Sequence, residues 1–165
     1  MRKIIETVRP DLPKSEEPGA LADVEDSVAR TGLYILRNAG GRAQEALRSI
    51  IVSQALLNTT DIHVIHHLGC GMAGHSEEGL RKELLDRIAP PLTDPVTRAA
   101  VTLQLAQHQF LPILADADEA VRVDVRFLRN HPLIRKDTKV KGWLYVDIHK
   151  PPNEHHLRSV DVPDA

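Results

Sequence analysis

Two short apolar runs, each followed by a glycine turn and separated by one proline-free segment, constrain this sequence most strongly. Residues 33–36 precede the turn 37–41, and residues 62–65 precede the glycine-containing segment 66–72. Between them, apolar side chains recur at helical spacing over 44–57. A strand, a helix and a strand with short connections form a βαβ unit. The sequence therefore predicts two parallel strands in one sheet, each ending in a glycine turn.

Three further helices and another strand are predicted downstream. Ser76 followed by two glutamates, and Asp94 followed by Pro95, are typical helix starts. The helix after Asp94 is expected to turn an apolar stripe inward, made of Val96, Ala99, Ala100, Leu103 and Ala106. A helix over 116–128 and an alternating strand over 140–148 follow. The predicted fold class is α/β, with helices flanking a central, mostly parallel sheet.

The chain length and the distribution of prolines suggest one domain with two extensions. The 165 residues, 42% of them apolar, are enough for a single core. Prolines and acidic residues make 1–30 an irregular N-terminal arm, in which the first strand of the fold is lost or irregular. The domain is expected over 31–150, and a polar C-terminal tail over 151–165.

Composition also bounds the partners that we expect. No apolar run approaches the roughly 20 residues of a membrane helix, and no apolar signal core is present near the N-terminus. The formal net charge is -2, and only five residues are aromatic. These features favour a cytoplasmic protein with a small-molecule substrate and disfavour nucleic-acid and membrane partners.

The turn 37–41 is a candidate substrate-binding element, because parallel sheets bind ligands beyond the carboxyl ends of their strands. Its candidate substrate-binding residues are Arg37, Asn38, Gly40 and Gly41. Arg37 is suited to clamp a small carboxylate or a bicarbonate-like anion. The alternative is that Arg37 forms a structural salt bridge or holds the backbone below the sheet.

The turn after the second run carries the candidate catalytic residues His66, His67 and Cys70. His67 and Cys70 have the spacing of a pair that can bind one Zn²⁺ ion, and Cys70 could instead act as a nucleophile. The alternative is that Cys70 is a small buried apolar residue and His67 a hydrogen-bonded loop residue. Since the sequence has one cysteine, it forms no internal disulfide, and one chain cannot supply two thiolates to a metal.

Three segments stand in order along the chain: 35–41 (ILRNAGG), 46–49 (ALRS) and 64–72 (VIHHLGCGM). They are followed by Val125-Arg126, 132–134, 140–142 and Tyr145. In order and spacing, these segments resemble the β-class carbonic anhydrases. The resemblance covers about 33–148 and implies the fold of that family.

The resemblance implies a Zn²⁺ held by two cysteines and one histidine, whose bound hydroxide attacks CO₂. The family's histidine and second cysteine correspond to His67 and Cys70. Its first cysteine lies in a Cys-x-Asp-x-Arg motif, but the matching interval here, 15–19, has no cysteine. We therefore expect zinc to be bound weakly or not at all. Local candidates for a further ligand are His66, His75, Glu17, Asp23, Glu25 and Asp26.

Three functions follow as hypotheses. The first is a repurposed enzyme that performs a lyase, hydratase or hydrolase step on a small carboxylate or carbonyl molecule. The second is a non-catalytic relative that acts as a subunit or regulator. The third is a true zinc carbonic anhydrase with an unexpected third ligand. Because the family is dimeric, the resemblance also implies a homodimer or tetramer.

Overall fold

The computed structural model describes residues 32–146, 150–151 and 154–163. The predicted arm over 1–30 lies outside the described residues, together with four of the candidate ligands, which are Glu17, Asp23, Glu25 and Asp26. The domain boundaries at 30 and 150 remain predictions. The described residues contain both glycine turns and all the candidate catalytic and substrate-binding residues.

Three strands form the described sheet, in the order β1 (Asp61–His67), β2 (Lys139–Val146) and β3 (His156–Val160). β1 and β2 are parallel, with a register that runs from Asp61 opposite Lys139 to His67 opposite Tyr145. β2 and β3 are antiparallel. The α/β class is confirmed, and the described sheet is small and mixed rather than mostly parallel.

All four predicted helices form. They are α1 (Ala43–Leu57), α2 (Glu77–Ile88), α3 (Pro95–Ala106) and α4 (Ala117–Asn130). The predicted caps are present, since the Ser76 hydroxyl accepts from the Gly79 N–H at 3.0 Å and the Asp94 carboxylate accepts from Val96 N–H at 3.0 Å. None of the helices in the described part of the chain combines the length and the apolarity that crossing a bilayer requires.

The core lies where α4 packs on β2. Val121, Val125 and Leu128 of α4 have no solvent-exposed surface, and Leu144 of β2 is 1% exposed. Gly142 allows this close approach, because a Cβ atom there would lie 2.6 Å from Val121 Cγ1. The helix therefore rests directly on the strand, and a single glycine sets the distance.

The predicted strand over 33–36 is wrong. These residues have no regular secondary structure, and the side chains of Tyr34, Ile35 and Leu36 are 51%, 44% and 52% exposed. β2 is the only strand that pairs with β1 among the described residues. An apolar run indicates that its side chains favour burial, but a strand also needs a neighbouring strand edge for its backbone hydrogen bonds.

The predicted inward stripe of α3 is also wrong. Val96 and Leu103 are 79% and 68% exposed, and Ala99, Ala100 and Ala106 are exposed as well. The helix packs against α2 through its other side, where Arg98 contacts the Asp86 carboxylate at 2.7 Å and the Ala89 carbonyl. Periodicity located the helix but did not identify which face is covered.

The segment interpreted as a polar tail contributes the strand β3. Val160 and Val162 are buried, with 5% and 8% exposure, and belong to the main core. His155, just before β3, contacts β2, because its Nδ1 lies 2.8 Å from the Tyr145 hydroxyl. Two prolines ahead of this segment and its many polar side chains concealed the strand signal.

Candidate functional site

The turn that follows β1 presents one imidazole and one thiol. His66 and His67 end the strand on opposite faces, so His66 is buried with 3% exposure while His67 is exposed. Cys70 lies three residues further on and is half-buried. His67 Nδ1 lies 2.9 Å from the Leu68 carbonyl oxygen, which accepts a hydrogen bond when Nδ1 is protonated. In that tautomer the Nε2 lone pair of His67 is available to a proton or a metal ion.

The structure brings the other glycine turn against this one. Gly40 and Gly41 have positive φ angles of 77° and 67° within a short 3₁₀ turn. A Cβ atom at Gly41 would lie 3.1 Å from His66 Cδ2, and one at Gly40 would lie 3.3 Å from Met72 Cβ. Both positions therefore combine a left-handed conformation with a close approach that side chains would obstruct.

Asn38 and Arg37 differ in how they are held. The Asn38 side-chain amide donates to the Arg42 carbonyl at 2.8 Å, while its buried Oδ1 accepts no hydrogen bond from the described residues. The Arg37 side chain is exposed and forms neither an ion pair nor a hydrogen bond with any described group. The alternative of a structural salt bridge for Arg37 thus has no support in the part of the chain described.

A buried charged cluster lies directly beneath the turns. Asp124 of α4, 1% exposed, accepts from Arg42 Nε at 3.2 Å and from the Ala43 N–H at 3.2 Å. The same carboxylate lies 3.1 Å from His66 Nε2. Asp124 therefore joins the start of α1 to the end of β1, beside the exposed His67.

Arg42 extends this cluster to the segment that holds the Cys70 turn. Its guanidinium donates to the carbonyls of Leu111 and Pro112, at 3.2 and 2.7 Å. The neighbouring Ile113 exchanges backbone hydrogen bonds with Met72 and Gly74, each at 3.0 Å. Asp124 is thus connected to both ends of the turn, through His66 at one end and through Arg42 at the other.

Sequence analysis missed Asp124 and Arg42. A signal was present, because Asp124 lies on the stripe of Val121, Val125 and Leu128, which are all fully buried. A carboxylate on the buried face of an amphipathic helix needs a charged or hydrogen-bonding partner. The position was therefore predictable as a buried contact, but the identity of the partner was not.

The described residues do not form a complete zinc site. His67 and Cys70 are donors of the kinds that zinc prefers, but catalytic zinc takes three protein ligands. No group of three His, Cys, Asp or Glu side chains in the described ranges could hold a metal ion. His66 points into the core towards Asp124, away from the turn surface. We therefore derive no chemical step through zinc.

His63 of β1 contacts Trp143 of the neighbouring strand β2. It stacks on Trp143 and its Nδ1 accepts from the indole N–H at 2.9 Å. Burial is the main cause that lowers the pKa of His63, and Lys141 adds to it while Asp61 opposes it. The pair packs on the face of the sheet opposite α4, away from His66.

Comparisons with known proteins fit this arrangement. No family model matches the chain. A carbon disulfide hydrolase of Acidithiobacillus thiooxidans is 27% identical over 143 residues, or 81% of this chain. Beta-carbonic anhydrase 1 of Mycobacterium tuberculosis is 26% identical over 114 residues, or 68% of this chain. The chain spans 66% and 60% of the lengths of these two curated relatives.

A solved structure gives broader coverage. The carbonic anhydrase from Glaciozyma antarctica is 35% identical, with a TM-score of 0.61. The match covers 85% of this chain and 78% of that protein. The glycine turns, the α/β fold and these similarities agree with one another. The chain belongs to the β-carbonic anhydrase family.

Proposed function

We propose that this chain catalyses a hydrolase- or hydratase-type step on a small carbonyl or carboxylate molecule. The observation that carries the proposal is one turn, held from below by the contact of His66 with Asp124, that carries the exposed His67 imidazole and, three residues later, the half-buried Cys70 thiol. The similarity to carbon disulfide hydrolases as well as to carbonic anhydrases supports the same reaction class.

Each predicted site residue has a role in this proposal. Cys70 adds as a thiolate to the electrophilic carbon, and His67 Nε2 accepts a proton from the water that resolves the adduct. His66 positions the turn through its contact with Asp124. The substrate-binding set is Arg37, Asn38, Gly40 and Gly41, with Arg37 as the cation that attracts an anionic substrate or product.

The smallest substrates that suit the proposal are linear molecules with one electrophilic carbon. Carbon disulfide and CO₂ are both of this type, and relatives of this chain are named for them. Complete hydrolysis of carbon disulfide consumes two water molecules and releases CO₂ and two H₂S. Hydration of CO₂ consumes one water molecule and releases bicarbonate and a proton.

The experiment is turnover of both substrates by the purified chain. We expect H₂S release from carbon disulfide above the uncatalysed rate, measured with a sulfide electrode, with slower stopped-flow CO₂ hydration. Background rates with both substrates, in a chain that unfolds cooperatively, would contradict the proposal.

A second candidate function, a non-catalytic subunit or regulator, is favoured by one observation. Within the described residues, no three His, Cys, Asp or Glu side chains are grouped so that they could hold a metal ion. Metal analysis of protein purified without chelator separates the candidates. About one zinc per chain, with fast CO₂ hydration, would instead establish the third candidate, a carbonic anhydrase completed by a further ligand.

Assembly and location belong to the same proposal. We propose a homodimer or tetramer in the cytoplasm, by similarity to the oligomeric family. The exposed apolar side chains of α3, Val96 and Leu103, are consistent with a covered surface in an assembly. Analytical ultracentrifugation at several protein concentrations measures the state directly, and a monomer throughout would contradict it.

A further inference from the structure

Residues 110–113, which we call the strap, lie against the turn that carries Cys70. At the end of the strap, Ile113 pairs with Ala73 in a parallel bridge, and its N–H donates to the Met72 carbonyl at 3.0 Å. The Ala73 N–H in turn donates to the Cys70 carbonyl at 3.0 Å. The position of the strap is therefore transmitted to the backbone of Cys70 through two hydrogen-bonded steps.

Leu111 in the strap has an unfavourable backbone conformation. Its φ angle of 51° lies in the left-handed region, which the Cβ atom of a leucine disfavours. Such a conformation persists only where the surrounding structure holds it firmly. The contacts of Leu111 therefore identify the groups that hold the strap.

Two side chains of opposite charge hold the peptide groups on either side of Leu111. Arg42 donates to the carbonyls of Leu111 and Pro112, at 3.2 and 2.7 Å. Glu77 Oε1 accepts from the N–H groups of Phe110 and Leu111, at 2.9 and 2.7 Å. Hydrogen bonds to charged groups are stronger than those between neutral groups. Together, Arg42 and Glu77 stabilise the strap in its strained conformation.

Glu77 is itself held by α2. It is the first residue of that helix, and its Oε2 lies 3.1 Å from Nη2 of Arg81, one turn later. The Arg81 guanidinium also lies 5.9 Å from the centroid of the Phe110 ring in the strap. An acidic residue in the first turn of a helix is ordinarily explained by the helix dipole. Glu77 additionally directs one oxygen to two N–H groups outside its own helix.

We propose that Glu77 is a positioning residue for Cys70 and acts through the strap. This role rests on the proposed function, in which the Cys70 thiolate adds to an electrophilic carbon. Without the Glu77 carboxylate, Leu111 is free to leave the left-handed region, and Ile113 then no longer fixes the turn. A displacement of the reacting atom by about 1 Å can slow a positioned reaction by roughly a hundredfold.

The rate of Cys70 alkylation by iodoacetamide under native conditions tests the positioning role without turnover. Because Cys70 is the only cysteine in the chain, the loss of free thiol reports on this residue alone. Once the strap is released, the half-buried thiol becomes more accessible. We therefore expect Glu77→Ala to raise the alkylation rate by about fivefold or more.

Three further variants separate positioning from a general loss of stability. Glu78→Ala removes an exposed carboxylate from the same helical turn and should change the alkylation rate by less than about twofold. Glu77→Gln keeps an oxygen that accepts from both N–H groups, so it should stay within about threefold of the native rate. Leu128→Ala weakens the core near the end of α4 and should leave the alkylation rate within about twofold of the native value.

The second readout is H₂S release from carbon disulfide. We expect Glu77→Ala to lower kcat/KM by about tenfold or more and Glu77→Gln to restore most of it. A native chain without turnover would contradict the proposed function, while the alkylation rates would still decide the positioning role. An unchanged alkylation rate in Glu77→Ala, or an equal rise in Glu78→Ala or Leu128→Ala, would overturn the positioning role.

Discussion

Helices α3 and α4 both carry an apolar stripe, but only α4 buries it. The α4 residues Val121 and Leu128 have no exposed surface, whereas Val96 and Leu103 of α3 are 79% and 68% exposed. The difference lies in what each helix packs against. α4 rests on β2 over Gly142, while α3 packs on α2 through Arg98 and Asp86. An amphipathic pattern therefore locates a helix, but the neighbouring element decides whether the stripe contributes to stability.

The buried charge of α4 should give the largest effect. Asp124→Ala leaves Arg42 and the Ala43 N–H without their carboxylate, and we expect it to lower the free energy of unfolding by about 4 kcal/mol. Asp118→Ala on the same helix removes a partly exposed pair with Arg158 and should cost less than about 1 kcal/mol. Urea denaturation measures both. A similar decrease in the free energy of unfolding for both variants would contradict the distinction between buried and exposed charges on α4.

A matched pair of leucine truncations compares the two helices directly. Leu128→Ala opens a cavity in the core under α4 and should lower the free energy of unfolding by about 3 kcal/mol. Leu103→Ala on α3 should change the free energy of unfolding of the monomer by about 0.5 kcal/mol or less. Denaturation at low protein concentration measures the free energy of unfolding of both variants. A large decrease with Leu103→Ala would show that the α3 stripe is covered.

A pair of glycine substitutions sharpens the comparison at the strand below α4. Gly142→Ala forces a methyl group against Val121 and should lower the free energy of unfolding by about 2 kcal/mol. Gly71→Ala, where a Cβ atom would meet nothing within 4 Å, should be nearly neutral. Thermal unfolding of both variants measures the difference in stability. A neutral Gly142→Ala would mean that α4 does not rest as closely on β2 as described.

The smallest effect is expected on the face of the sheet opposite α4. Since the pKa of His63 is lowered in the folded chain, its contribution to stability is present above its unfolded pKa. That contribution is lost as the pH falls from about 6.5 through the folded pKa. The emission of Trp143, the only tryptophan, should change over the same range. His63→Phe should remove this pH dependence; an unchanged profile would assign the transition to another group.

Local sequence features predicted the helices well and the sheet only in part. The caps Ser76 and Asp94 and the helical spacing of apolar residues depend on a few neighbouring positions, so they were visible in the sequence. The strand over 33–36 and the burial of α3 depend on partners distant in sequence, and both predictions were wrong. β3 was missed because its inward residue Val160 stands among polar neighbours.

In the candidate site, too, local features were predictable from the sequence, whereas contacts between distant residues were not. The positions of His67 and Cys70 after a buried strand followed from the sequence pattern. The turn 37–41 lies against them although the strand predicted before that turn does not form. The contacts of Asp124 with Arg42 and His66 span 82 and 58 positions of the chain. No local pattern specifies such a contact, so the support beneath the turn could not be predicted.

The central claim is that the turn carrying His67 and Cys70 is the reactive centre. H₂S release from carbon disulfide by Cys70→Ser tests it most directly, with His108→Gln as an exposed control after α3. We expect Cys70→Ser to lose activity by about a hundredfold or more, with an unchanged unfolding temperature, and His108→Gln to retain the native rate. A Cys70→Ser chain that releases H₂S at the native rate would contradict the account.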